Sequence, residues 1–369
     1  MDAAEFEAQG LYDPEAPDAA DRLALLEWLA ERGLSIGEIA EAGAAGRLTA
    51  IAGDLALRPG PRLSMVEVAE GTDLTVEEIR QLSLTIGLPV EDADERIYTP
   101  GDVEVFKLFG ATTELFPESS LMQFVRVLGS SLGRIADAAV SLFLADVETP
   151  ITEAQAGELA LARAQLDAIG ALNLLTDHLE TLFRAHMELA IRRNTAARTE
   201  ATSKVTVYVA VGFVDLVGFT PLSQRLPVRE LHSIVDAFEG SAYDIVTSNR
   251  GRVVKLIGDE VMFVALEPED ACEIALALVD RFAEADSNVT PRGGLAVGEM
   301  LTRGGDYYGS VVNLASRIAD LAVPNEILVT SDLRERAEKA LAPLAFDAAG
   351  RRLLKGFDEP LELFALRRV

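Results

Sequence analysis

Near residue 204 the hydrophobic period of the chain changes, and that change limits most of what it can fold into. Upstream, apolar residues recur every three or four positions, the spacing of amphipathic helices. The run Asp21-Arg-Leu-Ala-Leu-Leu-Glu-Trp28-Leu-Ala is typical, and residues 121–144 and 153–175 repeat its pattern. Gly33, Gly43 and Pro59-Gly60-Pro61 punctuate it. Downstream, short β-type runs alternate with helical ones. Strands are expected at 205–214, 253–257, 260–266, 294–301, 326–330 and 360–365, and helices at 228–249, 268–286 and 311–321.

Gly258-Asp259 joins two of these strands as a compact hairpin turn. The order β-α-β-β-α-β is that of a ferredoxin-like sheet with helices on one face. The fold class expected is therefore α+β: an all-helical N-terminal domain followed by a ferredoxin-like one. Four stretches follow. Residues 1–20 hold several acids and no base, and read as a loose acidic arm. Residues 21–171 form a helical domain, 172–203 a linker helix that frays into a polar stretch, and 204–369 the sheet domain. No internal repeat is visible.

The chain has 369 residues and is 49% hydrophobic, enough for two or three cored domains. No apolar run approaches the ~18 residues of a membrane span. The acidic start, Met-Asp-Ala-Ala-Glu-Phe-Glu, argues against a leader peptide. The single cysteine, Cys272, excludes an internal disulfide and a cysteine-rich metal site. A soluble cytoplasmic protein without a membrane span is the expectation. The formal net charge of −27 repels nucleic acid and anionic membranes. It repels a polyanionic substrate as well, unless a local cluster of Lys, Arg and metal reverses the field.

Two carboxylates stand where apolar runs stop at a glycine: Asp215 in Phe213-Val-Asp215-Leu-Val-Gly218-Phe219-Thr220, and Asp259 in Lys255-Leu-Ile-Gly258-Asp259-Glu. With no histidine or cysteine partner they are hard oxygen donors, suited to Mg²⁺ or Mn²⁺. A pair of such ions is a common apparatus for phosphoryl transfer. The segments 205–214 and 253–257 are expected to be sheet neighbours, which brings both acids to one end. The plainer readings are a helix N-cap for Asp215 and a turn residue for Asp259. After Asp215, the turn through Phe219 and Thr220 enters a helix whose backbone N–H groups can hold phosphate.

Lys255 interrupts a Val-Val-Lys-Leu-Ile strand, ~13 Å from Asp259 at ~3.3 Å per residue and on the same face. It is either a donor to a base or phosphate, or a lysine on the solvated face. In Gly304-Gly-Asp306-Tyr-Tyr-Gly309-Ser-Val-Val-Asn313-Leu-Ala-Ser-Arg317, glycines flank an acid before a helix. Asn313 and Arg317 share a helix face at i,i+4, suited to a sugar and a phosphoryl oxygen, or merely solvated. Lys355 is a further base near a strand, functional or plain surface charge. Lys255, Arg317 and Lys355 are the candidate positive cluster.

These residues, in this order and spacing, resemble the class III nucleotidyl cyclase catalytic domain, over nearly half the chain. The resemblance implies that Asp215 and Asp259 bind two Mg²⁺ or Mn²⁺ ions. It implies that Lys255 and Asp306 read adenine, so that the substrate is ATP and the products cyclic AMP and pyrophosphate. It assigns Asn313 to the ribose, Arg317 to the transition state and Lys355 to the triphosphate, beside the substrate-binding turn at Phe219 and Thr220 read above from its backbone. It also implies a head-to-tail homodimer, with metal ligands from one subunit and the base, ribose and phosphate residues from the other. No serine, cysteine or histidine nucleophile is needed.

The helical half is similar to the regulatory domain of pH-responsive actinobacterial adenylyl cyclases, some of which hold a lipid. That implies a fatty acid or lipid ligand there, and regulation carried through the linker helix. His178 and His186 lie in that helix, and histidine is the residue type whose charge ordinarily changes near neutral pH; they are candidate regulatory residues or ordinary helix histidines. Three alternatives compete. The stretch Ser64-Met-Val-Glu to Glu77-Glu78-Ile-Arg has a helix-turn-helix look, but its acids would face phosphates. A diguanylate cyclase would carry Gly-Gly-(Asp/Glu)-Glu-Phe, which Gly258-Asp259-Glu260 only echoes. A cyclase using GTP is the third.

Overall fold

The computed structural model describes residues 1–369 apart from 91, 114, 202, 204–205, 284–288 and 341–342, and apart also from the side chains of 177, 220, 228 and 229. Thus the expected start of the sheet domain at 204 and the end of the helix expected at 268–286 lie outside the described residues. The chain divides into two compact units, Met1–Arg184 and Ala185–Val369.

The first unit is helical: α1 (Ala3–Ala8), α2 (Ala19–Glu31), α3 (Ile36–Ala44), α4 (Ile51–Leu57), α5 (Met65–Glu70), α6 (Val76–Ile86), α7 (Pro100–Thr112), α8 (Glu118–Phe143), α9 (Thr149–Glu153) and the first part of α10 (Glu158–Ala197). Several of these helices start from a reciprocal cap in which a Ser or Thr oxygen accepts a backbone N–H and a Glu three residues on returns the bond. Ser35 with Glu38, Ser64 with Glu67 and Thr75 with Glu78 are such pairs. The helix-turn-helix look of 64–80 is therefore two capped helices, with Glu77 and Glu78 in the first turn of α6. One core gathers Phe6, Leu25, Leu26, Leu29, Ile39 and Ala162; another gathers Met65, Val68, Ile79, Leu82, Tyr98 and Phe106.

Three expectations are corrected here. The acidic arm is not loose throughout: Asp2 and Glu5 cap α1, and Phe6 is fully buried. The linker helix does not start at 172. It begins at Glu158, where Asp21 accepts the first free backbone N–H and Arg22 forks onto the Glu158 carboxylate at 2.6 and 2.8 Å. Finally, the continuous helical stretch Glu118–Glu153 contains an 18-residue window of mean hydropathy 1.4, long and apolar enough by length and composition to cross a membrane, and only 6% buried. Charged residues interrupt the stretch as a whole, which is why it does not stand out as an apolar run.

The second unit is built on one eight-stranded sheet. Its strands are β1 (Thr206–Val217), β2 (Gly251–Ile257), β3 (Glu260–Ala265), β4 (Thr290–Arg303), β5 (Asp306–Tyr308), β6 (Ile327–Thr330), β7 (Leu344–Arg352) and β8 (Leu361–Arg368). The order is β2-β3-β1-β4-β6-β8-β7, with β5 folded back on β4. Among the described residues, only β4 and β6 pair in parallel. The first four strands are the ferredoxin-like palm. The helices are α11 (Phe219–Ser223), α12 (Val228–Ser248), α13 (Pro268–Ala283), α14 (Ser310–Leu321) and α15 (Ser331–Ala337).

Strand alternation divides β1 between two cores. Ala210, Val214 and Leu216 pack with α12 and α13 through Phe238, Ile274 and Leu278. Val207, Val209, Val211 and Phe213 face the other way, onto Ala315 and Ala319 of α14. The expectation of helices on one face is thus corrected: α14 covers the opposite one. Its approach needs Gly294 of β4. A Cβ there would stand 2.5 Å from the Ala315 carbonyl oxygen and closer still to the Ala319 nitrogen.

Gly294→Ala must push α14 off the sheet, and is expected to destabilise the protein by about 1–3 kcal/mol. Gly240→Ala, in exposed helix with open space around the new carbon, should stabilise it by about 0.5–1 kcal/mol. Urea denaturation of both variants checks the pair; equal midpoints would remove the close packing of α14.

Candidate active site

The site grows from the register of three strands. In the antiparallel pairing of β1 and β3, Asp215 stands opposite Glu260. The β2–β3 hairpin closes through Gly258, whose φ of 65° suits glycine, and Asp259. The Leu216 N–H donates to the Asp259 carbonyl at 3.2 Å, which ties the turn to the end of β1. So Asp215 and Asp259 do converge, but not as the sequence reading had it. The neighbours of β1 are β3 and β4, and β2 lies one strand further out.

Burial pushes the Asp259 carboxyl above its ordinary range, and the adjacent Asp215 adds to this. Glu260 is pushed up to about 7, first by burial, then by Asp215, Asp320 and Asp259. Close carboxylates repel, and a divalent cation between them relieves that repulsion. Asp215 and Asp259 are hard oxygen donors, a donor type that suits Mg²⁺ or Mn²⁺, although among the described residues no group of three or more such side chains is placed to hold a metal.

Arg292, which the sequence reading missed, is the cation on the cluster. From β4 its Nε and Nη2 donate to Asp215 Oδ2 at 3.0 and 2.8 Å, and its Nη1 donates to the Asp320 carbonyl at 2.8 Å. In register Arg292 lies directly opposite Asp215. Asp320 in turn holds Arg317 Nη1 at 3.2 Å. The only signal for Arg292 was a base just inside a strand start, hidden in the turn-like Pro291-Arg-Gly-Gly.

A second group forms around Lys255. The β2–β3 ladder slips at Val254, so that Val253 opposes Phe263 and Lys255 opposes Met262. A bulge of this kind re-aims a side chain. Lys255 Nζ then meets Asp306 Oδ2, on the β4–β5 hairpin, at 2.7 Å. The other Asp306 oxygen accepts the Tyr307 N–H at 2.8 Å. Among the described residues, no hydrogen bond or ion pair joins this group to the Asp215–Asp259 cluster.

Asn313 and Arg317 are both exposed on α14, one turn apart. Phe219 opens α11 behind Gly218 (φ 93°) and packs on the sheet core; the side chain of Thr220 lies outside the described residues. Lys355 is exposed between β7 and β8 and is not brought to either group. His178 and His186 are exposed on α10.

Residues 4–192 match the model of the adenylate cyclase regulatory domain, and residues 198–367 that of the adenylate and guanylate cyclase catalytic domain. An uncharacterised protein of Mycobacterium tuberculosis is 32% identical over 99% of this chain and 94% of its own. A pH-sensitive adenylate cyclase of the same organism is 30% identical over 95% and 88%. An adenylate cyclase of Streptomyces coelicolor is 32% identical over 73% and 71%. Among solved structures, adenylyl cyclase CyaB from P. aeruginosa is similar over 44% of this chain and 95% of that one, at 22% identity and a TM-score of 0.40. The palm and its carboxylates are thus a nucleotidyl cyclase catalytic domain, preceded by a regulatory domain. The chain belongs to the class III adenylyl cyclases, in the branch that carries this helical regulatory domain.

The raised Glu260 gives a signed prediction. Between about pH 4.5 and 7 the folded chain holds a proton there that the unfolded chain has released. Stability drawn from this group therefore falls as pH rises through that window. In metal-free protein, the melting temperature of Glu260→Gln minus that of wild type should climb from pH 5 to 7.5. A flat difference would mean that Glu260 titrates normally.

Proposed function

We propose that this protein converts ATP to 3′,5′-cyclic AMP and pyrophosphate at sites shared between two copies of the chain. The observation that carries the reading is the ion pair of Lys255 with Asp306 at 2.7 Å, built apart from the Asp215–Asp259 cluster. Lys255 offers a donor and Asp306 an acceptor, which suits the edge of adenine, where a ring-nitrogen acceptor adjoins an amino donor. The two groups are two halves of an apparatus, and a two-fold dimer supplies each half with its complement.

Asp215 and Asp259 would hold two divalent ions. When bound, such ions favour ionisation of the ribose 3′-hydroxyl and neutralise the triphosphate. The remaining work belongs to side chains. Asn313 orients the ribose from its partner's α14. Arg317, one turn along, leaves Asp320 and meets the charge that grows on pyrophosphate as the 3′-oxygen attacks the α-phosphorus. Arg292, beside Asp215, offers a guanidinium to the triphosphate, with the helix-start N–H groups at Phe219 and Thr220; Lys355, which lies at neither group, would have to reach it from the β7–β8 connection. No covalent intermediate forms.

Regulation is placed in the helical unit. It has a cavity of about 190 Å³ lined by Leu57, Val140, Phe143, Ile169 and Leu172, suited to an acyl chain. The adenylate cyclase relative described as pH-sensitive supports pH as an input. The helix α10, with His178 and His186, connects one unit to the other along the sequence.

Asp215→Ala and Arg317→Ala are each expected to lose about 10²–10³ in rate or more. Mixed together, the two variant chains should regain part of the cyclic AMP production, because one of the two sites in a mixed dimer is intact. Heterodimers that form and stay inactive would refute the shared site.

A further inference from the structure

Three arginines face a cavity of about 290 Å³ that borders Asp306, and the cyclase reading gives these arginines no role. Arg193 comes from the end of α10, Arg252 from β2 and Arg303 from β4; Asn194, Gly304, Gly305, Tyr307 and the acid Asp306 also line it. All belong to the second unit. Arg193 is half-buried beside the Tyr307 side chain. Arg252 donates to the Gly305 carbonyl at 2.7 Å, and its guanidinium lies 5.7 Å from the Tyr307 ring.

The charges around this cavity do not balance. Among the described residues, the arginines of the Asp215 cluster are matched by acids, Arg292 by Asp215 and Arg317 by Asp320. No described carboxylate lies within ion-pair distance of Arg193, Arg252 or Arg303. The acid on the rim, Asp306, is already taken by Lys255 and the Tyr307 N–H. Burial, and then the neighbouring Arg252 cation, push the Arg193 ionisation downward. The chain has a net charge of −27 and carboxylates in excess, yet these three guanidiniums share one concave space with no described carboxylate paired to them. Guanidinium donors in a fork match tetrahedral oxyanions. The glycines leave the space open, and a Cβ on Gly305 would reach to 3.6 Å from Arg252 Nη2.

We propose that this cavity is a second anion site, which takes a small oxyanion of the phosphate class between Arg193, Arg252 and Arg303. Bound there, the anion braces the hairpin that carries Asp306 against the end of α10. The bracing bears on base reading only if the cyclase reading holds; the binding does not depend on it. Free phosphate and pyrophosphate share the required chemistry.

The test is ³¹P NMR of inorganic phosphate, and separately of pyrophosphate, with the full-length protein in EDTA. The expected result is saturable line broadening that weakens about tenfold in Arg193→Gln and in Arg303→Gln. It should persist in Arg317→Ala and Arg292→Ala, which would lose any anion held at the carboxylate cluster. Arg303 is exposed, so its variant keeps the fold, and an unchanged melting temperature verifies this. Broadening by phosphate shows a site for the free ion, and broadening by pyrophosphate alone one for the longer anion; either supports the proposal. No broadening with either probe, equal broadening in both cavity variants, or loss confined to the Arg317 and Arg292 variants would overturn it.

Discussion

The second unit depends on one electrostatic arrangement: Asp215, Asp259 and Glu260 crowd the end of a central strand, and Arg292 is the cation that meets them. Such a cluster is costly in a fold that gains nothing from it, since like charges in a partly buried site raise one another's proton affinity. The architecture goes to some length to build it. Strand β1 is held between β3 and β4, so an acid at its end is flanked by the hairpin turn on one side and by Arg292 on the other. Both faces of β1 are covered, which fixes the register and leaves the strand end little freedom.

The opposite character belongs to the Lys255 group. It rests on a bulge at Val254 and a three-residue strand, β5, folded back on β4. These are light devices at the periphery of the sheet. Side chains placed this way, Lys255 and Asp306 among them, are set by hydrogen bonds from the next loop, including Arg252 to Gly305. Under the proposed function, an acidic centre on covered strands would hold charge and a Lys–Asp pair on a peripheral hairpin would read the base, so the two tasks would be divided physically.

Much of this was legible in the chain because β-alternation is strict where both faces are buried. Residues 207, 209, 211 and 213 against 210, 214 and 216 give the strand, and a glycine beside each acid, Gly218 after Asp215 and Gly258 before Asp259, marks a strand end. The belief that β2 adjoins β1 failed because a hairpin shows which strands are paired, not which of the two turns inward. The bulge that aims Lys255 left no signal, as Val254 is an ordinary strand residue. Arg292 was hidden by Pro291 and two glycines, which read as a turn although β4 runs through them. Strand β7 went unseen because its Leu-Ala-Phe-Asp-Ala-Ala-Gly-Arg-Arg alternates weakly and lies at an exposed sheet edge. The short α1 was overlooked although Asp2 and Glu5 spell its cap; its acids were read as an unfolded arm while Phe6 was anchoring it.

The central claim is a chemical one, and product analysis tests it most directly. The purified 369-residue chain is incubated with ATP or GTP and Mg²⁺ or Mn²⁺, and the nucleotides are separated and identified by mass. The account predicts 3′,5′-cyclic AMP and pyrophosphate in equal amounts from ATP, with specific activity that falls on dilution as shared sites come apart. Cyclic GMP as the main product would contradict the role given to Lys255 and Asp306. A chain bound to ATP and metal that forms no cyclic nucleotide across pH and lipid conditions would contradict the account as a whole.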